Sequence, residues 1–218
     1  MVVDDQATAA AATSLKRVAY EAILGQILRG EAGPGTLLSR RLIADGLAMS
    51  PAPVHEAMLM LEQDGFLEAL PRVGTRVRLV NRNEVRGHLI LREALECQVA
   101  RMVCGDRVRA QLGRLRPLAR QADEKGLSDQ ERAAREVAFH GALAELADCP
   151  LLLREYRRVM RIGFFYRISL LMPMPGRGPV RKHTDLLKTL VTVDPTAAAD
   201  AARAHIWSGK PDTLKDDD

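Results

Sequence analysis

The apolar positions of this chain follow two different rhythms, one short and broken, the other long and helical. Between Gly33 and Val80, Leu42, Ile43 and Leu47 give a brief apolar stripe that breaks at Ala48-Met49. Val54, Ala57, Met58 and Leu61 then recur at helical spacing. Ser50 stands as N-cap of this second helix and Pro51 lies in its first turn. Pro53 still falls among the orphan amides of a helix start, so neither proline removes an intrahelical bond. Asp64-Gly65 ends the helix. Phe66 to Leu70 and Thr75 to Val80 alternate well enough for two short strands, with Pro71-Arg72-Val73-Gly74 turning between them. Helix, tight turn, helix and two-strand wing make a head shaped for duplex DNA.

From Asn83 onward the period is helical. Gly, Pro, Asp or Asn interrupt it near residues 105, 126, 149, 175 and 194, which predicts six helices over about 83–104, 106–125, 128–148, 150–172, 178–193 and 195–208. Antiparallel neighbours joined by short loops form a bundle, and bundles place ligand sites between facing helices. The expected fold is mainly α: an N-terminal winged helix-turn-helix domain over 13–80, then an all-α antiparallel helical bundle over 83–208. Residues 1–12 lack periodicity and read as a mobile tail, and 209–218 read as a second tail.

With 218 residues and a hydrophobic fraction of 47%, the chain can fill two modest cores; aromatics at 4% leave these to Leu, Val, Ala and Met. No run approaches the ~18 apolar residues of a membrane span and no secretory signal is visible, so a cytoplasmic protein without a membrane partner is expected. Cys97, Cys104 and Cys149 are odd in number and lack C-x-x-C spacing, which argues for buried, reduced thiols rather than disulfides or a thiolate zinc site. The net charge of +4 is uneven: residues 1–80 hold eight Lys/Arg against nine Asp/Glu. A phosphate footprint there rests on local clustering of Arg40, Arg41, Arg72, Arg76 and Arg78.

In its first part the chain resembles the GntR family of bacterial transcription regulators. The match is an ordered series over about sixty residues: Pro34-Gly35, the helix with Arg41, Pro53-Val54-x-Glu56-Ala57-Met58, Leu61-Glu62-x-Asp64-Gly65-Phe66-Leu67, and Gly74 of the wing. The resemblance implies binding to double-stranded DNA as a homodimer, since one head reads one half-site. Candidate contacts are Arg40, Arg41, Ser50, His55, Arg72, Gly74 and Arg76. GntR-type heads usually carry arginine at the second residue of the recognition helix and four residues later; here these positions are Pro51 and His55. Two donors, each worth about 1–3 kcal/mol of base discrimination, are thereby lost, which predicts an unusual operator or a weakened head.

In the second part, Glu136 and His140 are four apart and share a helix face. His183 and His205 each lie eleven residues from Asp194, so an antiparallel helix pair turning there brings them level. One carboxylate and three imidazoles can thus converge, a set suited to zinc, nickel, iron or manganese. This bundle resembles the FCD effector domain of the FadR branch of the GntR family, through Arg92-x-x-Leu95-Glu96, Phe139-His140 with an acid four residues earlier, and the two later histidines. The resemblance implies a divalent transition metal, zinc first, at Glu136, His140, His183 and His205, although metal-binding members usually have aspartate where Glu136 stands. It also implies a small organic acid as effector. Arg92 has two readings: an ion pair with Glu96, or a group that takes the effector's carboxylate. No nucleophile elbow, phosphate-cradling loop or additional acid/base residue suggests an enzyme, so catalysis is not expected.

Overall fold

The computed structural model describes residues 3–169, 180–192 and 194–210. The first elements are α1 (Val3–Leu28), β1 (Leu37–Leu38), α2 (Arg40–Gly46), α3 (Pro51–Gln63), β2 (Leu67–Leu70) and β3 (Gly74–Val77). The stretch 1–12, expected as a tail, is helical from Val3: alanine needs no amphipathic pattern to favour a helix. Tyr20, Ile23, Leu24 and Ile27 of α1 and Val54, Ala57, Met58 and Leu61 of α3 are all buried, and the two helices pack together. The Tyr20 hydroxyl also donates to Asp64 Oδ2 at 2.6 Å, at the end of α3.

The turn between α2 and α3 places Ala48 in the left-handed region, φ 51°, while Met49 N–H closes back on Ala44 C=O at 2.9 Å. Within α2 the core contact comes from Ala44. Leu42, expected on the apolar stripe, is 71% exposed, because a seven-residue helix has room for little more than one inward residue. Ser50 caps α3 by backbone conformation alone, with Pro51 at the first turn. The wing holds a strand that the pattern missed: β1 pairs antiparallel with β3, giving the order β1-β3-β2. Two residues are too few to show an alternation.

The second part comprises α4 (Arg82–Val103), α5 (Asp106–Ala110), α6 (Leu112–Ala122), α7 (Asp129–Glu145), α8 (Pro150–Ser169), α9 (His183–Leu190) and α10 (Pro195–Trp207). Capping boxes start α4 (Asn81 with Glu84) and α7 (Ser128 with Glu131), and Asp194 caps α10 ahead of Pro195. The single helix expected over 106–125 is two, because Gln111 leaves helical angles (φ −109°, ψ 12°). The expected start at 178 and the end at 172 lie outside the described residues, as does 211–218; α9 begins at His183.

Ala198, Ala199 and Ala202 form a small-residue face that lets α10 lie close against α4, where Cys97 Sγ donates to Ala199 C=O at 3.3 Å. Cys97 is buried, whereas Cys104 and Cys149 are half-buried rather than fully enclosed; all three are free thiols. At the end of α10, Glu93 of α4 accepts from Arg203 Nε at 2.6 Å and from Trp207 Nε1 at 2.5 Å. Contacts divide the chain between Val80 and Asn81, with the last part of α8, from Phe164, grouped with the first unit. No described helix is long and apolar enough to cross a membrane.

Candidate metal centre and nucleic-acid interface

Three helices bring three histidines to one point. His140 lies on the buried face of α7, His183 opens α9 and His205 lies on the last turn of α10. All three are buried, at 3%, 5% and 8% exposure. Their ring centroids are 5.3 Å (His140 to His183), 5.2 Å (His140 to His205) and 4.5 Å (His183 to His205) apart. One ligand atom from each lies within 4.8 Å of the others, so the three form a group able to hold a metal ion. The fully buried Phe139 ring packs edge-on against both His140 and His183 and walls off one side.

Two of the imidazoles are aimed by carboxylates. His140 Nδ1 donates to Glu96 Oε2 at 2.9 Å, and His183 Nδ1 donates to Asp123 Oδ1 at 3.0 Å. The opposite nitrogens, His140 Nε2 and His183 Nε2, are buried and have no hydrogen-bond partner, and neither has His205 Nδ1. A buried ring nitrogen left without a partner is costly unless something else satisfies it. Imidazole nitrogens borne by carboxylate-held rings are the donor set of a transition-metal site, so these residues fit such an ion.

Glu96 links this centre to Arg92. Its other oxygen accepts from Arg92 Nε at 2.5 Å, with side chains 13% and 6% exposed. Burial pushes the Glu96 carboxyl up, but Arg92 and His140 outweigh it and hold it well below the usual carboxylate range. The ion-pair reading of Arg92 is therefore realised. Glu136 is half-buried and stands outside the group of three nitrogens; its charge nevertheless reaches Arg92, Tyr156 and His183. Burial lowers the pKa of His183, helped by His140, and lowers that of His205 to about 2, with His140 and His183 adding to the effect.

A cavity of about 10 Å³, room for roughly one water molecule, lies against Glu96, His140 and Tyr156 and continues between aliphatic side chains such as Val99, Leu143 and Leu186. The Tyr156 hydroxyl is buried without a partner, and burial pushes its pKa up. Sequence reasoning missed Tyr156, Asp123 and the second contact of Glu96. Asp123 did carry a signal: a carboxylate at the C-terminal end of a helix opposes the helix dipole and suggests a partner elsewhere.

In the head, Arg40 Nη1 lies 3.3 Å from His55 Nδ1, joining α2 to the exposed face of α3. Arg41 is 89% exposed, with Asp45 at 3.9 Å. Ser50, Arg72 and Gly74 are exposed, and the wing tip places Arg72 at φ 63° and Gly74 at φ 135°, both left-handed. Arg76 is committed to Glu68, directly across the β2–β3 ladder, at 2.8 Å.

A winged head of this topology followed by a helical bundle is the architecture of a DNA-binding transcription regulator. The chain belongs to the GntR family of bacterial regulatory proteins and carries an FCD domain: the GntR family matches residues 15–77 and the FCD domain matches residues 89–207. It is 26% identical over 197 residues to the HTH-type transcriptional repressor RspR of Escherichia coli K12, covering 86% of this chain and 83% of that protein. Its fold is similar to a GntR transcriptional regulator of Rhodococcus sp. RHA1 (TM-score 0.70, 20% identity, 93% and 96% of the two chains) and to E. coli McbR/YncC (TM-score 0.63, 21% identity, 88% and 93%). The family and its curated relative RspR are transcription regulators, not enzymes. GntR heads bind DNA and FCD domains bind small-molecule effectors.

Proposed function

We propose that this regulator senses a small organic acid at a divalent transition metal, zinc first and nickel, iron or manganese otherwise. His140, His183 and His205 would hold the metal, with Glu136 the candidate for a further ligand. The supporting observation is the polarity of the two aimed rings: Nδ1 is turned to a carboxylate, and Nε2 is buried without a partner. When bound, the metal supplies a Lewis-acidic point for an effector oxygen. Arg92, buried beside Glu96, is the candidate partner for the effector's carboxylate. Tyr156 lines the same cavity. An organic acid exceeds the volume of about 10 Å³ found there, so its entry favours a second arrangement of the bundle helices, and that shift is the proposed signal to the head.

On the DNA side, Arg40, Arg41, Ser50, His55, Arg72, Gly74 and Arg76 are the proposed contacts. Arg72 is exposed and Arg41 is 89% exposed, with Asp45 only at 3.9 Å, whereas Arg76 shares its charge with Glu68 at 2.8 Å. Two copies acting as a homodimer in the cytoplasm would read two half-sites.

The test combines metal analysis with DNA binding. Purified protein should contain about one transition metal per chain, chelation should lower its Tm, and His140→Ala should abolish that response; identical melting curves with and without chelator would refute the metal. Fragments from the gene's own neighbourhood should bind more tightly than random DNA, with small organic acids changing the affinity. A second reading, a ligand-binding protein whose head has lost its operator, is favoured by Pro51 and His55. Ligand binding without any preference among DNA fragments would select it.

A further inference from the structure

The Asp123 carboxylate makes four contacts with the start of α9. Oδ1 accepts from the His183 backbone N–H at 2.7 Å and from the His183 ring Nδ1 at 3.0 Å. Oδ2 accepts from the Thr184 backbone N–H at 3.0 Å and from its hydroxyl at 2.7 Å. The residue at the N-cap position of α9, Lys182, makes no side-chain cap bond. The first amides of α9 are thus satisfied from another helix, by a residue sixty positions earlier in the chain.

We infer that Asp123 is a positioning residue with two linked tasks: it caps α9, and it holds the proton of neutral His183 on Nδ1 so that the Nε2 lone pair faces His140 and His205. An ionised carboxylate can only accept, so the ring nitrogen that meets it must carry the proton. Both Asp123 oxygens accept, from two backbone N–H groups, a hydroxyl and a ring nitrogen, which is the donor environment of an ionised carboxylate. The opposite tautomer would direct an N–H into the histidine cluster and remove one ligand lone pair. Asp123 itself terminates α6. The end of α6, the beginning of α9 and the aim of His183 are therefore fixed by one side chain, and metal affinity becomes a readout of how α6 and α9 sit together.

This inference takes its functional weight from the proposed metal, and its test separates the two. Two-bond ¹H–¹⁵N correlation spectra of metal-free protein report which His183 nitrogen is protonated. Wild type should show the Nδ1–H form. In Asp123→Asn one of the two accepting oxygens becomes an NH₂ donor, so the exclusive preference for Nδ1–H is lost: a population of the Nε2–H form should appear and cobalt(II) affinity should fall about ten- to a hundredfold. Thr184→Val removes only one cap bond; it should lower Tm while leaving the tautomer and the cobalt affinity unchanged. A wild-type His183 protonated on Nε2 overturns the inference. So does an Asp123→Asn protein that melts earlier yet keeps both the Nδ1–H form and wild-type cobalt affinity. If wild type shows the Nδ1–H form but takes up no cobalt, the metal reading falls and the positioning role of Asp123 stands.

Discussion

The head pairs one arginine with an imidazole and another with a carboxylate, whereas the bundle joins all three kinds of group in one chain, and the two sets lie in opposite surroundings. In the head, Arg40 meets His55 at 3.3 Å and Arg41 faces Asp45 at 3.9 Å, all on exposed side chains. In the bundle, Arg92, Glu96 and His140 form a chain of contacts at 2.5 and 2.9 Å that is almost closed to water. Water and salt weaken the first set, leaving it free to exchange a protein partner for a phosphate. Desolvation locks the second, since each member depends on the next. Residue type alone therefore does not separate the proposed DNA contacts from the proposed sensing groups; burial does.

The contrast can be broken most directly at Glu96. Glu96→Ala leaves the Arg92 charge buried and unpaired, which should cost about 3–5 kcal/mol in denaturant unfolding of the metal-free protein. A loss close to zero would show that this chain of contacts does not carry the bundle. Metal comes next: at a free concentration a hundred times its Kd, a bound ion should add about 2.7 kcal/mol of stability. Differential scanning calorimetry with and without chelator measures this.

Acidification should act on the same centre. Burial lowers His205 to about 2 and lowers His183 as well. These rings stay neutral in the folded chain, whereas the unfolded chain protonates them near the ordinary histidine value of about 6.5. The unfolded state then binds more protons, so stability falls as pH drops below about 6.5 and continues to fall toward the folded values. The depressed carboxyls of Glu96 and Asp123 act in the same direction at lower pH. Melting of metal-free protein between about pH 8 and pH 5 checks the sign; a Tm that rises on acidification would contradict it.

The smallest effects belong to the head. Arg41→Ala and Arg72→Ala should each weaken DNA binding and reduce the slope of log K against log salt by about one, without moving the bundle's Tm. Arg76→Ala should do less, because Glu68 already takes part of its charge. A larger effect from Arg76 than from Arg72 would reverse the assignment of the wing.

Much of this arrangement was legible in the sequence because it depends on local spacing. Ser50, Pro51 and the 54-57-58-61 repeat specify α3 without reference to the rest of the chain. The equal distances from Asp194 to His183 and His205 place the two rings side by side through helix geometry alone. What was not legible depends on contacts between distant segments. Asp123 meets His183 only because the end of α6 lies against the start of α9, and Glu96 serves Arg92 and His140 together only because α4 packs against α7. β1 was hidden because its two residues take their conformation from β3. Glu136 shows the limit of spacing: the i, i+4 rule puts it on the face of His140 but does not bring its carboxylate into the group of nitrogens.

The chain contains a single tryptophan, Trp207, with its indole fastened to Glu93 two residues beyond His205. The helix that carries His205 thus has its own optical label. Intrinsic fluorescence will follow any slippage of α10 along α4 in the unmodified molecule, with no second indole to blur the signal.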